Sequence, residues 1–253
     1  MGRYDGMLIV SDWDNTVSKG GSVPEKTREA IRKYQSEGGR FTVCSGRNAT
    51  HFDKFREDFI PNAPICAYNG ALIIDTDGRI LRESFLDTEV LGVARTLLHS
   101  GLLVSVAIHA KELSGPHHCD IEEFTEQFDK FTEMHHYKIV FVGRDEDSTL
   151  SAKRLAESLL PEGYSAARSW PVGLEIFKSS ASKGEALKLV KAYTSSTIAI
   201  GVGDFENDID LIAAADIGYA VDNALPSVKA AADRVTVSVS ESAIAKIIEE
   251  ISV

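Results

Sequence analysis

Met7-Leu8-Ile9-Val10 is an unbroken apolar run that stops at a polar turn beginning with Ser11-Asp12. A strand that is apolar on both faces must be covered on both faces, so such a run belongs in the middle of a parallel sheet. The segments that follow repeat the theme. Ser22 and Glu25 have capping-box spacing, Pro24 falls in the first turn of a helix, and Gly38-Gly39 ends it. Phe41-Thr42-Val43-Cys44 then reads as a strand, residues 48–57 as a helix and residues 65–68 as a third strand. The alternation returns near the other end, with a helix at 183–193, a strand at 198–200, a helix at 208–214 and a strand at 217–221. Both ends are predicted to build one doubly wound, parallel α/β sheet.

Between them the pattern changes. Residues 72–75, an Asp77-Gly78 turn and residues 80–85 predict a hairpin, followed by strands at 102–109, 138–142 and 174–177 and a helix at 150–160. Residues 1–77 and 179–253 are expected to form the core, and residues 78–178 an inserted α/β domain. At 253 residues and 43% hydrophobic content, the chain can fill a core domain and a smaller companion.

Charge narrows the partner. Lys+Arg 27 against Asp+Glu 38 gives a net charge of -11, which opposes attraction to nucleic acid or to an anionic membrane and favours a small molecule. The longest apolar stretch, around 102–108, is too short to span a bilayer, and the start has no apolar signal segment. Cys44, Cys66 and Cys119 form no CxxC pair, which points to a reducing, cytoplasmic setting, with Cys44 and Cys66 as core residues. His117-His118-Cys119 and His135-His136 lack metal-ligand spacing.

Asp12-Trp13-Asp14-Asn15-Thr16 directly follows the first strand, so its two carboxylates sit at the carboxyl end of the sheet, where open α/β folds bind ligands. On an extended segment a two-residue step lets both face one site, one as nucleophile or metal ligand and the other as acid/base. Gly203-Asp204-Phe205-Glu206-Asn207-Asp208 follows another strand and brings more carboxylates to the same edge, a hard-oxygen set suited to Mg²⁺. Ser45-Gly46-Arg47 offers a hydroxyl and backbone N–H groups to a phosphate oxygen, and Lys183 opens a helix where a cation is unusual unless it faces an anion. Each motif alone has a plainer explanation, as turn, helix cap or solvated lysine. Helix capping accounts for one acidic residue but not for the whole set.

Taken together and in this order, Asp12-x-Asp14-x-Thr16, Ser45-Gly46-Arg47, Lys183 and Gly203-Asp204-x-x-Asn207-Asp208 resemble the four motifs of haloacid dehalogenase-superfamily phosphatases. The long insertion resembles the subgroup with a large α/β cap, as do Tyr68-Asn69-Gly70, Ser182-Lys183-Gly184 and Ala220-Val221-Asp222-Asn223-Ala224. The resemblance implies a Mg²⁺-dependent phosphatase of a small phosphorylated metabolite, such as a sugar phosphate, working through an aspartyl phosphate. It implies Asp12 as nucleophile and metal ligand, and Asp14 as acid/base and backbone metal ligand. Asp204 and Asp208 would complete the metal site, while Ser45, Gly46, Arg47, Lys183 and Asn207 would face the phosphate. Asn69, Arg168 and Trp170 are expected near the substrate, and Trp13 either at the entrance or packed below the cap. Asn15 departs from the family's usual Gly, although Asn tolerates positive φ. A phosphomutase of the same superfamily and a noncatalytic, receiver-like metal-binding module are the competing readings.

Overall fold

The computed structural model describes residues 2–55 and 61–251. In chain order its elements are β1 (Met7–Ser11), α1 (Glu25–Ser36), β2 (Arg40–Val43), β3 (Ile65–Ala67), β4 (Leu72–Ile74) and β5 (Ile80–Glu83), then α2 (Glu89–Leu98), β6 (Leu103–Ala110), β7 (His117–Cys119), α3 (Ile121–Glu126), α4 (Phe128–Thr132) and β8 (His136–Gly143). They continue with α5 (Glu146–Leu159), β9 (Tyr164–Trp170), β10 (Gly173–Lys178), α6 (Lys183–Tyr193), β11 (Ile198–Gly203), α7 (Ile209–Ala214), β12 (Ile217–Ala220), α8 (Pro226–Ala231), β13 (Arg234–Val235) and α9 (Ala243–Glu250). The chain divides into two compact units, Met1–Arg82 with Ser182–Val253, and Glu83–Ala181.

In the first unit a five-stranded parallel sheet runs β13-β12-β11-β1-β2. The apolar run of β1 is shared between its two faces. Ile9 packs with Phe41, Ile31 and Ile244 on one side, while Leu8 and Val10 pack with Leu187, Val190 and Leu211 on the other. This two-sided burial is the doubly wound arrangement that the run demanded. Strand order reverses between β1 and β11, which lie side by side with Ser11 opposite Val202. The topological switch point, where open α/β sheets bind ligands, is therefore at the carboxyl ends of these two strands.

Four local expectations change. The third strand does not extend the main sheet: β3 pairs antiparallel with β4 in a small sheet ordered β3-β4-β5, and touches the parallel sheet through one bridge between Cys44 and Cys66. That pairing also keeps the 72–82 hairpin with the first unit, so the inserted unit begins at Glu83 rather than at Gly78. The capping box at Ser22 does not form, because Ser22 and Lys19 exchange backbone hydrogen bonds in a turn and Pro24 takes the cap position. The helix expected at 48–57 is a 3-10 turn over Ala49–Phe55, and its last residues lie outside the described ones.

The second unit carries the sheet β7-β6-β8-β10-β9, antiparallel throughout the pairings of β6, β7, β8, β9 and β10. Alternate residues of its central strands, among them Val106, Ile108, Ile139, Phe141, Leu174 and Ile176, are buried against Val90, Leu97, Phe124 and Ala152 of α2, α3 and α5. Arg168 lies opposite Leu174 on this helix-covered side, and its guanidinium bonds Glu146 at the start of α5 (2.8 Å) and the Pro171 carbonyl (3.4 Å). Expected near the substrate from sequence, it here ties a helix N-terminus to the β9–β10 turn. Trp170 is half-exposed at that turn, with its ring over Gly173.

Candidate active site

Asp12 is the first residue after β1. Its N–H donates to the Val202 carbonyl of β11 (2.8 Å), which anchors the start of the loop at the switch point. The chain then turns sharply. Asn15 adopts φ 60, Val17 and Ser18 donate to the Trp13 carbonyl, and Asn15 N–H donates to Ser18 O. Asn is among the few non-glycine residues that accept this conformation readily, so the turn survives without the family's Gly. Asn223 braces it by donating to the Asn15 carbonyl (2.9 Å) and accepting from Val239 N–H (3.0 Å). Trp13 points into the core, fully buried and edge-on to Phe52.

Lys183 is the hub of the site. Although it opens α6, it is 1% exposed, and its Nζ lies 2.6 Å from Asp12 Oδ1 and 2.6 Å from Asp208 Oδ1. Burial by itself pushes the ammonium pKa down, but Asp12 and Asp208 outweigh that and raise it, so the group is charged. Asp208 is engaged at both oxygens, because its Oδ2 accepts from the N–H groups of Asp204 and Phe205 (3.0 and 3.1 Å). Gly203 makes this approach possible: a Cβ there would meet the Asp208 Cβ at 2.3 Å. Asp204 accepts from Thr16 Oγ1 (3.2 Å), which joins the loop after β11 to the loop after β1.

Asp12, Asp204 and Asp208 are all buried and each offers an oxygen within 4.8 Å of the others. Burial pushes Asp12 up to about 7 against the opposing charge of Lys183, and burial together with the charges of Asp12 and Asp208 pushes Asp204 up to about 8. Three buried carboxylates with one ammonium leave an excess of negative charge that either protons or a cation must balance. The donor set, carboxylate oxygens only, fits a hard divalent cation such as Mg²⁺. The carboxylate of Asp14 stands outside this cluster, half-exposed and held by Arg47 through Nε (2.8 Å) and a terminal nitrogen (3.0 Å). Sequence reasoning had placed Arg47 on the phosphate and had not paired it with Asp14.

Ser45 is buried at the end of β2, its Oγ accepting from Arg47 N–H (3.2 Å). Asn207 donates to Asn69 Oδ1 (3.4 Å), and Asn69 itself is buried in the first unit. The structure thus gathers Asp12, Asp14, Ser45, Arg47, Asn69, Lys183, Asp204, Asn207 and Asp208 in one unit, with Gly46 between Ser45 and Arg47 in the chain. Thr16 and Asn223 are the supporting residues whose contacts were not foreseen. Both lay in quoted motifs, but nothing in those motifs named their partners.

The sequence pattern of the haloacid dehalogenase-like hydrolases matches residues 9–248. The chain belongs to this family. YxeH of Bacillus subtilis (strain 168) is 29% identical over 267 residues, covering 96% of this chain and 97% of that protein. From the same organism, the 5-amino-6-(5-phospho-D-ribitylamino)uracil phosphatase YwtE is 27% identical over 280 residues, covering 96% and 97%. Among solved structures, the phosphatase BT1666 of Bacteroides thetaiotaomicron superposes with a TM-score of 0.79 at 22% identity, covering 98% of this chain and 96% of that one. The subclass IIB sugar phosphatase BT4131 superposes with a TM-score of 0.79 at 17% identity, covering 96% and 98%. The chain is an enzyme, a haloacid dehalogenase-like hydrolase, and the noncatalytic reading falls. Among the described residues no helix is long and apolar enough to cross a membrane.

Proposed function

We propose that this hydrolase cleaves the phosphoric monoester of a small metabolite, a sugar phosphate or a related compound, through an aspartyl phosphate on Asp12. The observation that carries this reading is the buried Lys183 ammonium, 2.6 Å from Asp12 at the switch point, beside two further carboxylates. A carboxylate and a phosphate dianion repel each other, so attack needs positive charge fixed beside the nucleophile, and Lys183 is held there by Asp12 and Asp208. Asp12 and Asp204 would hold Mg²⁺, with Asp208 supporting them through Lys183 and the Asp204 N–H. When bound, the ion would supply charge neutralisation at the transferring phosphoryl group. Ser45 Oγ, the Gly46-Arg47 backbone and the Asn207 amide orient the phosphate oxygens.

In the first step an Asp12 oxygen bonds to phosphorus, the bond to the leaving oxygen breaks, and Asp14 delivers its proton to the departing alkoxide. In the second, Asp14 takes a proton from water, the water oxygen bonds to phosphorus, and the Asp12–phosphorus link breaks. Asp14 must leave the Arg47 fork to reach either position, which also turns Arg47 over to the phosphate. The Glu83–Ala181 unit acts as the cap that selects substrate and keeps water from the intermediate. Within that unit Lys138, Glu175 and Ser169 form a polar cluster on the side of the sheet away from the helices. The names of YwtE and BT4131 support this substrate class. The three free cysteines suit a cytoplasmic enzyme.

The test is hydrolysis of p-nitrophenyl phosphate and a panel of sugar phosphates with Mg²⁺ and with EDTA, in wild type and Asp12→Asn. Mg²⁺-dependent release of inorganic phosphate, lost in the variant, is expected. Wild-type turnover by Asp12→Asn, confirmed by mass spectrometry to be free of deamidation, would overturn the assignment. An isomeric sugar phosphate in place of inorganic phosphate would identify a mutase.

A further inference from the structure

Beyond β3 the chain enters the left-handed region three times in succession, at Tyr68 (φ 51), Asn69 (φ 62) and Gly70 (φ 107). Two adjacent non-glycine residues in that region are costly and persist only where surrounding contacts over-determine them. Here three backbone hydrogen bonds tie the turn to the segments proposed to bind phosphate. Tyr68 N–H donates to the Arg47 carbonyl (3.0 Å), Asn69 N–H to the Ser45 carbonyl (2.8 Å), and Ser45 N–H to the Cys66 carbonyl (2.9 Å). The turn thus laces the Ser45-Gly46-Arg47 loop to the end of β3. The Asn69 side chain, 1% exposed, reaches the other way and accepts from Asn207 Nδ2 (3.4 Å).

We infer that Asn69 is a positioning residue, not a substrate contact: it anchors the Asn207 side chain beside the Ser45-Gly46-Arg47 loop, so that this amide stays in reach of the phosphate. The inference rests on the phosphatase reading and goes beyond it. A primary amide can turn over about its Cβ–Cγ bond and exchange its donor and acceptor ends, which differ little in shape. Asn69 and Asn207 are both such amides, so their contact fixes the place of the Asn207 side chain whichever way the pair is turned. Asn69 Oδ1 accepts one of the two Nδ2 hydrogens and leaves the second for an anion. Without the Asn69 side chain, the Asn207 amide loses its tie to the turn after β3. Asn69 also lies on the backbone turn that holds Ser45, so one residue fixes the two loops against each other.

The experiment is a double-mutant cycle on the Mg²⁺-loaded enzyme with Asn69→Gly, Asn207→Ala and the pair, reading kcat, KM and the inhibition constant of inorganic phosphate. Glycine keeps the left-handed backbone and removes the amide side chain. Asn69→Gly is expected to weaken phosphate inhibition and kcat/KM by roughly tenfold or more, with a melting temperature near that of wild type. The pair should be no worse than Asn207→Ala alone, since the side chain acts through that amide. Asn69→Ala, which strains the turn, should melt lower yet show the same phosphate affinity as Asn69→Gly. If Asn69→Gly does not fold, the cycle with Asn69→Ala decides in the same way. Additive losses, wild-type phosphate affinity in Asn69→Gly, or affinity that tracks the melting temperature would overturn the inference. An inactive wild type or an active Asp12→Asn would instead bring down the phosphatase reading itself, so the two failures are distinct.

Discussion

Lys183→Met is the substitution that asks most of the proposed site. Methionine keeps most of the length and apolar bulk of the lysine stem and removes the charge, leaving Asp12, Asp204 and Asp208 buried together without their ammonium. Removing one partner from a buried ion pair costs about 3–5 kcal/mol. For a chain of this size that corresponds to roughly 6–20 °C in melting temperature. The loss should appear in full in EDTA at pH 8.5 and shrink by pH 6, because Asp12, already pushed up to about 7, answers the missing cation by taking a proton. Catalysis should fall by roughly 100- to 1000-fold at every pH, since a fixed charge at the phosphoryl group is gone. Lys183→Met with Asp208→Asn separates the two effects. The Asn carbonyl can still accept from Asp204 and Phe205 N–H, and one buried charge fewer restores stability but not turnover. Thermal unfolding with EDTA and p-nitrophenyl phosphate kinetics with Mg²⁺ provide the readings. A Lys183→Met protein that melts within about 2 °C of wild type at pH 8.5 would refute the claim that this ammonium compensates the cluster.

Asp14→Ala should lose turnover of sugar phosphates yet give a burst of nitrophenol from p-nitrophenyl phosphate, because a nitrophenolate leaves without a proton while breakdown of the intermediate still needs the base; equal slowing of both substrates without a burst would remove Asp14 from the mechanism. In the metal-free protein Asp12 and Asp204 have folded pKa values near 7 and 8, above their unfolded values, so their contribution to stability is complete at low pH and is lost as pH rises from about 4 to about 8. Melting curves in EDTA should show that decline, and Mg²⁺ should reverse it most strongly at the alkaline end. In the other unit, burial lowers His109 to about 3 and also lowers His136, whose Nε2–H donates to Phe131 O. Depressed imidazole values act in the opposite sense: stability is present above about 6.5 and falls by up to about 1.4 kcal/mol per histidine for each pH unit below it, a loss that His136→Phe should reduce in acid denaturation. Gly203→Ala drives a Cβ into Asp208 and is expected to cost about 1–3 kcal/mol and most of the activity, measured by denaturant unfolding and phosphatase assay.

What could be read in advance followed from short-range physics. Long apolar runs declared β1 and β11, and the helix over Lys183–Tyr193 stands where its pattern put it, with a Ser182 cap that accepts from Glu185 N–H as an addition from the structure. Where two local solutions competed, pattern misled. Residues 65–68 are apolar enough for the main sheet, yet β3 is three residues long and finds a closer partner in β4 across the Tyr68–Gly70 turn. Ser22 and Glu25 stand at capping distance, but the Lys19–Ser22 turn claims the backbone first. Arg168 was expected near the substrate from its place close to the end of the inserted domain. Its partner, Glu146, stands at the start of a helix that sequence reading began only at residue 150.

The site itself was legible for a topological reason. Parallel strands all end at the same edge, and a helix that leads back into such a strand starts there, so motifs at those ends must converge whatever the spacing between them. Asp12 and Lys183 are separated by 171 positions, and Thr16 and Asp204 by 188, yet both pairs meet. Topology delivers such residues only to the neighbourhood. The choice among neighbours depends on side-chain reach and on competing partners: Arg47 stands in the same crowd as Ser45 but takes Asp14, and Asn207 takes Asn69. Those choices are decided by a few ångströms of loop geometry, set in turn by positive-φ residues such as Asn15 and Asn69 whose need for that conformation is invisible in composition or periodicity. The division predicts where substitutions will be tolerated. Strand and helix positions should accept any residue of similar size and polarity, whereas at Asn15 Gly should be accepted and Ala should cost about 1–2 kcal/mol. Unfolding of Asn15→Gly and Asn15→Ala measures this directly, and equal stability of the two would show that the left-handed turn does not constrain the nucleophile loop.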